Sequence, residues 1–307
     1  MSAGMNPLLA GAVAIVFMTL RSLVPILLAS VGEIVTERSG VVNIGLEGIL
    51  LLGAFFAVVV DVRVQQPGLA VLAGGLVGLA IGAMHGVIAT KLKGNQLVDA
   101  MGVNTFALGV VGFGIFAVWH VWGARMIPLS LTVPSIHVGP WALSPLVIIA
   151  LGVAVFTYWW LYKTPFGAAV RACGEDPDAA DVVGINVDRV RILATMYGAF
   201  LAGIGGAYLS VDWFSGITKE ISAGRGWLAL ANVAFSNWNP LLAIGGSMLF
   251  AFFDALVLWI GPMPQVNSII PQELLRTIPY IATIVVISGV IKRVRPPKAL
   301  GIPYSRE

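Results

Sequence analysis

The sequence contains little that could support metal or thiol chemistry. It has one cysteine, Cys173, and three histidines, His85, His120 and His137, in 307 residues. A single cysteine excludes a disulfide within the chain and a thiolate metal cluster, and the histidines are too far apart to match zinc-ligand spacing. The phosphate-binding pattern GxxxxGK[ST] is also missing, so the chain cannot hydrolyse ATP by that mechanism. These absences argue against a zinc enzyme and against an ATPase.

Charged residues are scarce as well, and hydrophobic residues dominate. Charged side chains make up 11% of the sequence and hydrophobic ones 58%, with a mean hydropathy of +0.92. This composition is typical of an integral membrane protein. The formal net charge is only +3, and the basic residues are spread over loops and the C-terminal end. That distribution indicates membrane topology, and we expect no nucleic-acid partner.

Long apolar runs predict the membrane-crossing helices, because a helix needs about 20 apolar residues to cross the hydrocarbon layer. Nine runs qualify, near residues 8–31, 41–60, 68–90, 97–120, 143–162, 192–212, 222–236, 240–260 and 274–291. The seventh is short and contains Gly224 and Gly226, which favours a broken or re-entrant helix. The predicted fold is all-α: one transmembrane domain over residues 1–307, a polytopic helical bundle of about nine transmembrane helices.

Basic residues at the ends of the predicted spans indicate the orientation. They follow span three at Lys91 and Lys93, recur in the loop 163–191 after span five, and follow the last span over residues 292–298. With nine crossings, all three positions lie on one side, which should be the cytoplasmic side. The N-terminus is then expected outside and the tail 292–307 inside.

A few polar side chains lie inside the predicted spans, where a charge costs about 3 kcal/mol or more. They are Arg21, Asn43, Glu47, Asn104 and Asp254. Two interpretations stay open for the charged ones. A structural pair such as Arg21 with Glu47 would hold the bundle together, whereas a relay of Glu47, Asp254 and Arg21 would suit an ion- or proton-coupled secondary transporter. The paired catalytic groups that a membrane enzyme needs are not evident at any span end.

Glycines predict close helix packing. Gly74, Gly78, Gly82 and Gly86 recur every fourth residue on span three, and span six carries a similar face of small residues. Such faces let helix backbones approach closely. His85 lies on the glycine-rich face, and we expect a packed, hydrogen-bonded histidine there rather than a proton relay.

The polar loop between spans five and six is the best indication of a partner. It covers residues 163–191, KTPFGAAVRACGEDPDAADVVGINVDRVR. A long charged loop with an internal helical pattern suggests that a soluble protein docks on it. Pro177 suits a helix start and Gly184 a helix stop, so a short helix is expected within residues 174–187.

Three segments in combination carry a family resemblance. They are GEIVTERSGVVNIGLEGILLLGAFFA at 32–57, RACGEDPDAADVVGINVDRVR at 171–191 and GRGWLALANVAFSNWNP at 224–240. Together they resemble the permease subunits of ABC importers for nucleosides and simple sugars, in the superfamily of ribose and branched-chain amino acid permeases. The C-terminal LLRTIPYIATIVVISGVIKRVRPPKALGIPY is similar to the ending of the nucleoside-type subgroup.

This resemblance implies a non-catalytic permease subunit in the plasma (inner) membrane of a prokaryote, carrying nucleosides or a related simple sugar. It implies three protein partners: a second permease subunit in a hetero- or homodimer, a cytoplasmic ABC ATPase subunit, and an extracytoplasmic substrate-binding protein or lipoprotein. The chain itself is expected to bind no cofactor. ATP and Mg would be used by the partner ATPase.

Within the loop, Asp178-Ala179-Ala180 followed by Gly184 resembles the EAA-xxx-G coupling motif of ABC permeases, with Asp178 in place of the usual Glu. The alanines would permit close approach to the ATPase, and the glycine would end the helix. A groove of the ATPase would be filled by Ala179, Ala180, Val182 and Val183. Arg189 and Arg191 are expected to anchor the next span at the inner membrane interface. The expected coupling residues are Glu175, Pro177, Asp178, Ala179, Ala180, Gly184 and Ile185.

Polar and aromatic residues supply the candidates for the translocation pathway. Amides and a carboxylate can bind hydroxyls or base edges, and aromatic rings can stack on a planar ring or cover a sugar face. The candidates are Asn43, Glu47, Asn104, Phe106, Asn232 and Trp238. Asn239 and Pro240 are interpreted instead as a turn, with the asparagine capping span eight.

Overall fold

The computed structural model describes residues 7–138, 141–263, 266, 270–275, 277–290 and 294–305. Its helices account for most of the described chain, as the hydrophobic runs predict. They are α1 Pro7–Arg38, α2 Leu46–Val64, α3 Pro67–Thr90, α4 Gln96–Trp119, α5 Pro145–Lys163, α6 Pro165–Glu175, α7 Pro177–Val182, α8 Val187–Tyr208, α9 Arg225–Phe235, α10 Pro240–Ile260, α11 Gln272–Leu275 and α12 Ile278–Val290.

Four short strands lie in the connections between helices. They are β1 Ala124–Met126, β2 Ile136–Val138, β3 Trp141–Leu143 and β4 Gly216–Thr218. Strand β1 pairs antiparallel with β4, with Arg125 opposite Ile217, and β2 pairs antiparallel with β3. A π-helical turn, Leu209–Trp213, extends α8 toward β4. The β1–β4 pair thus joins the α4–α5 connection to the α8–α9 connection.

Six described helical segments are long and apolar enough to cross a membrane: Gly11–Arg38, Pro67–Thr90, Gln96–Trp119, Pro145–Lys163, Val187–Trp213 and Pro240–Ile260. The all-α membrane fold is therefore confirmed, whereas the count of nine crossings is not. Helix α2 is not among the six, because it carries three charged residues, Glu47, Asp61 and Arg63. Helix α9 has only 11 residues, about 16 Å, roughly half of the hydrocarbon thickness.

Helix α8 lies at the centre of the bundle and packs against α1, α2 and α3. A Cβ atom on Gly78 of α3 would lie 2.1 Å from the Ala199 carbonyl oxygen, and one on Gly198 would lie 2.7 Å from the Gly32 carbonyl oxygen. Both distances are too short for a side chain, so only glycine permits these helix contacts. The predicted faces of small residues are confirmed as packing surfaces.

Segments that are distant in sequence meet at one end of the bundle, which we call the α7 face. The Ala299 N–H donates to the Gly174 carbonyl oxygen at 2.9 Å, and the Gly301 N–H donates to the Gly40 carbonyl oxygen at 2.9 Å. The segment 294–305 therefore lies across the ends of α1 and α6. Helix α8 runs about 33 Å from this face to the opposite end, which we call the β face because β1 and β4 lie there.

Candidate functional site

A short helix with exposed apolar side chains lies on the α7 face. Helix α7 begins at Pro177, where the Asp176 side chain accepts a hydrogen bond from the Ala179 N–H at 2.9 Å. The chain turns after the helix at Gly184, whose φ of +89° suits glycine. The predicted short helix is therefore confirmed. Val182 and Val183 at its end are 87% and 74% exposed, which is unusual for valines outside the membrane-crossing helices.

The expected coupling residues divide between the surface and the interior. Ala180 is buried against the protein itself, with only 2% of its surface exposed, so the expectation that its side chain would fill a partner's groove is wrong. Glu175 is exposed, and its carboxylate lies 3.8 Å from the Arg38 guanidinium. The other members are exposed or half-buried: Pro177, Asp178, Ala179, Gly184 and Ile185.

A buried arginine connects α6, the helix before α7, to the end of α1 and to the segment 294–305. The Arg191 guanidinium donates to the carbonyl oxygens of Ser39 at 3.0 Å, Ile302 at 2.9 Å and Cys173 at 3.2 Å. Arg191 is 0% exposed, so the expectation that it anchors a span at the membrane interface is wrong. Its planar fork of donors suits three carbonyl groups from three segments. Burial raises the pKa of the neighbouring Cys173 thiol to about 11, although the Arg191 charge opposes the shift.

Glu47 holds the start of α9. Its Oε1 accepts a hydrogen bond from the Gly224 N–H at 2.7 Å, and its Oε2 accepts one from the Gly226 N–H at 2.8 Å. Glu47 also lies in the first turn of α2, so a single carboxylate faces the positive ends of two helices. The alternative of an Arg21–Glu47 pair is not found among the ion pairs of the described residues.

Asp254 binds Arg225, a residue whose role the sequence did not reveal. The Arg225 Nη2 and Nε atoms donate to Asp254 Oδ2 at 2.8 and 3.1 Å, and the Ser22 hydroxyl donates to the same oxygen. Arg225 is 2% exposed, and its guanidinium carbon lies 4.8 Å from the Trp213 ring centroid. A buried charge is tolerated when it is paired and hydrogen-bonded in this way.

Two predicted pathway amides hold the start of α2. The Asn43 side chain accepts a hydrogen bond from the Gly45 N–H at 2.9 Å, and Asn43 is 1% exposed. The Asn104 side chain accepts from the Gly48 N–H at 2.8 Å and donates to the Ile44 carbonyl oxygen at 3.0 Å. Both amides lie near Glu47, and both oxygens accept from backbone N–H groups. The Asn43 Nδ2 atom has no partner among the described residues.

The other three pathway candidates lie in different surroundings. The Asn232 amide donates to the Ser247 hydroxyl at 2.8 Å and is fully buried between α1, α9 and α10. The Trp238 indole donates to the Glu37 carboxylate at 2.5 Å on the α7 face. Phe106 is 63% exposed on α4, so the structure does not bring it together with the rest.

Three further expectations can be compared with the structure. His85 is buried, with Nδ1 2.6 Å from Asp99 Oδ2 and Nε2 3.0 Å from the Val42 carbonyl oxygen, which confirms a packed, hydrogen-bonded histidine. Asn239 caps α10 by accepting from the Leu241 N–H at 2.9 Å, which confirms the turn. The short seventh element is α9, which begins at Arg225 after the N-cap residue Gly224, whose φ is +80°.

Two buried carboxylates were missed because the first span was predicted to end at residue 31. Helix α1 continues to Arg38, and Glu33 and Glu37 are 0% and 5% exposed. Glu33 accepts from the Asn43 N–H at 2.8 Å. Their four-residue spacing, with Ile34 and Val35 between them, places both on one helix face and could have indicated a continuing helix.

Comparison with known proteins gives consistent matches over nearly the whole chain. A family described as the branched-chain amino acid transport system / permease component matches residues 15–287. The chain is 33% identical to the guanosine ABC transporter permease protein NupQ of Bacillus subtilis, covering 93% of this chain and 94% of that protein.

Two further relatives have similar coverage. The nucleoside ABC transporter permease protein NupC of Lactococcus lactis is 32% identical, over 91% of this chain and 93% of its own. The putative glucose ABC transporter permease protein TsgC13 of Haloferax volcanii is 31% identical, over 94% of this chain and 96% of its own. No solved structure matches the chain.

Proposed function

This chain belongs to the family of branched-chain amino acid transport permease components, and we propose that it forms the membrane pathway of an ABC importer for nucleosides. The observation that carries the substrate class is the full-length similarity to permeases named for guanosine and for nucleosides. As a permease subunit the chain is not catalytic, so a partner ATPase would hydrolyse ATP with Mg. A simple sugar is the second candidate, because the Haloferax volcanii relative is named for glucose.

We propose that the ATPase docks on α7. Val182 and Val183 are exposed at the end of a helix whose other groups are small or charged, and apolar side chains of this kind bind in a groove of a partner. Arg191 supports the site from within, because it links the end of α6 to α1 and to residue 302. A displacement of α7 by the ATPase would then be transmitted to α8, which α7 contacts directly.

The docking proposal has a direct test. The variant Val182→Asp should reduce co-purification of the ATPase and ATP-dependent uptake by at least about tenfold, since a buried unpaired charge costs several kcal/mol at an interface. The matched control is Leu129→Asp, because Leu129 is 79% exposed in the α4–α5 connection near the β face. Unchanged ATPase binding in both variants would show that α7 is not the docking site.

The docking site requires the α7 face to be cytoplasmic. Ser305 lies on this face and Gln66 lies between α2 and α3 at the other end; both are exposed. Single-cysteine variants at these positions should react differently with a reagent that cannot cross the membrane. Position 66 should react in intact cells, and position 305 only after permeabilisation. The opposite result would invert the orientation and exclude a cytoplasmic partner on α7.

The prediction that Asn43, Glu47, Asn104, Phe106, Asn232 and Trp238 line the pathway stays a prediction. The hydrogen bonds of the three asparagines, Glu47 and Trp238 also support a different role, because each of them holds a helix end or joins helices. Uptake per assembled complex in alanine variants distinguishes the two roles. A pathway residue lowers uptake at constant stability, whereas a structural residue lowers stability first.

Nucleoside uptake by the reconstituted complex tests the substrate class. Proteoliposomes that contain this chain with its permease, ATPase and binding-protein partners should take up guanosine only when ATP is supplied. Glucose serves as the competing substrate, and a sodium or proton gradient replaces ATP in the control. Uptake driven by the gradient alone would instead support the ion-coupled alternative through Glu47, Asp254 and Arg21.

A further inference from the structure

A buried tyrosine lies at the β-face end of the central helix α8. Tyr208, the last residue of α8, is 0% exposed, and its hydroxyl finds no hydrogen-bond partner among the described residues. Leaving such a group unpaired costs about 1–3 kcal/mol. The contrast with Tyr197 on the same helix is informative, because the Tyr197 and Thr157 hydroxyls lie 2.6 Å apart. The Tyr197 hydroxyl thus has a partner within the protein, whereas the Tyr208 hydroxyl remains available to a ligand.

Three charged side chains lie within electrostatic range of this hydroxyl. The charges of Arg21, Asp212 and Arg225 all act on Tyr208. Arg21 has an unpaired Nε among the described residues, and Asp212 accepts a hydrogen bond from the Ser144 hydroxyl. Asp212 belongs to the π-helical turn Leu209–Trp213, a type of irregularity that is frequent at functional sites. Two unpaired donors therefore lie in one polar cluster.

Aromatic rings form the adjoining wall. The Trp213 ring centroid lies 6.3 Å from that of Tyr208 and 4.7 Å from that of Phe214, with Trp213 and Phe214 stacked at 14°. Trp213 and Phe214 are half-buried, so part of their surface remains exposed. Arg225 lies beside both rings, at 4.8 and 5.7 Å from their centroids. Stacked aromatic surface next to hydrogen-bonding groups suits a planar ring that carries hydroxyls.

The charged groups here carry no net positive charge, which restricts the ligand. Arg21 and Arg225 contribute two positive charges, Asp212 and Asp254 contribute two negative ones, and the Glu47 carboxylate lies beside Arg225 on the Gly224 and Gly226 N–H groups. The Arg225–Asp254 pair is already closed at 2.8 Å. A neutral solute can bind here without adding an unpaired charge, whereas a nucleotide would bring its own negative charge into a site with no net positive charge to balance it.

The cluster lies toward the β face. Tyr208 is about 25 Å along α8 from Arg191, and Asp254 is about 21 Å along α10 from its start at Pro240. Both positions are far from the α7 face. If the α7 face is cytoplasmic, this cluster lies in the outer half of the bundle.

From this geometry we infer that Arg21, Tyr208, Asp212 and Trp213 form a nucleoside-binding site in the outer half of the pathway, an inference that rests on the proposed function. The base would stack on the Trp213 side of the aromatic pair. The Tyr208 hydroxyl and the Arg21 guanidinium would donate to the nucleoside, and Asp212 would accept from its hydroxyls. The ligand class is therefore an uncharged nucleoside.

The test compares two tyrosine variants on one helix. Tyr208→Phe should raise the KM for guanosine uptake by about tenfold, the loss expected for one buried hydrogen bond. Its Tm should stay the same or increase, because the variant removes an unpaired polar atom. Tyr197→Phe is the matched control: its Tm should fall, since Thr157 loses its partner, while its KM should stay unchanged. An unchanged KM in Tyr208→Phe would overturn the inference.

A second variant covers the case in which Tyr208→Phe does not fold. Asp212→Asn keeps an oxygen that can accept from Ser144 but removes the charge, so it should also raise the KM severalfold. Failure of the proposed function would look different, because the wild-type complex would then take up no nucleoside. If wild type carries glucose instead, the KM for glucose is measured in the same variants, and an unchanged value again overturns the site.

Discussion

Replacing Glu47 by glutamine distinguishes a structural carboxylate from one that lines the pathway. In the structure both Glu47 oxygens accept backbone N–H groups, from Gly224 at 2.7 Å and Gly226 at 2.8 Å. Glutamine keeps one oxygen and presents an NH2 group where the second oxygen was. One glycine N–H then faces a donor, and the start of α9 loses half of its support.

The magnitude follows from these two contacts. A hydrogen bond to a charged group contributes about 1.5–3 kcal/mol, and a negative charge at a helix N-terminus adds about 0.3–1 kcal/mol. Glu47 is only partly buried, so solvent compensates for part of the loss and we expect about 2 kcal/mol. For a chain of this size, 1 kcal/mol corresponds to about 2–4 °C. The expected decrease in Tm is therefore about 4–8 °C.

Thermal unfolding in detergent, followed by tryptophan fluorescence, measures this decrease. Glu220→Gln is the matched control, because Glu220 is exposed and its carboxylate lies 3.8 Å from Lys219; its Tm should stay within about 1–2 °C of the wild-type value, since exposed pairs contribute little. Uptake per assembled complex is measured in parallel. A Glu47→Gln protein with unchanged Tm and strongly reduced uptake would refute the capping role and favour a pathway role.

Three further predictions follow from local geometry. Gly184→Val should weaken ATPase binding because valine strains a φ of +89°, whereas Gly184→Asn should be milder; equal binding in the two variants would count against the turn. Gly78→Ala should lower the Tm, since its Cβ would meet the Ala199 carbonyl oxygen at 2.1 Å, while Gly109→Ala, with no atom within 4 Å, should not. Cys173 should resist maleimide at pH 8 in the native protein and react after denaturation, because it is buried and its thiol pKa is raised to about 11; rapid native labelling would contradict this burial.

Features that depend on a few neighbouring residues were predictable. The start of α7 at Pro177 and its end before Gly184 follow from helix-capping preferences, and Asn239 caps α10 for the same reason. The four-residue spacing of Gly78 and its neighbours indicated a close helix contact. Apolar runs indicated the membrane class. In each case the physical cause lies within about one or two helical turns of the chain.

The crossing count was harder to predict because apolar length does not reveal how a helix begins. Helix α9 has enough apolar residues to resemble a span, yet it is 11 residues long and starts at Gly224 on the Glu47 carboxylate. That start depends on a partner 177 residues away in the chain. Hydropathy alone contains no information on such a contact.

The partners of the charged residues were also hard to predict, because they lie far away in the chain. Arg191 looked like an interface residue because it follows a polar loop, but three carbonyl groups bury it. Asp254 was identified as exceptional, yet its partner Arg225 was not, although it lies within the predicted seventh span between Gly224 and Gly226. A charged residue in an apolar segment is expected to have a partner. Which residue that partner is depends on which helices pack together, and the sequence does not show this.

The Tyr208 hydroxyl and Arg21 Nε differ from these charges, because they have no partner among the described residues even in the packed bundle. Asn43 Nδ2 and Asn232 Oδ1 are unpaired among the described residues as well. We place the ligand beside Tyr208 because the stacked rings of Trp213 and Phe214 adjoin it and offer a surface for a planar base.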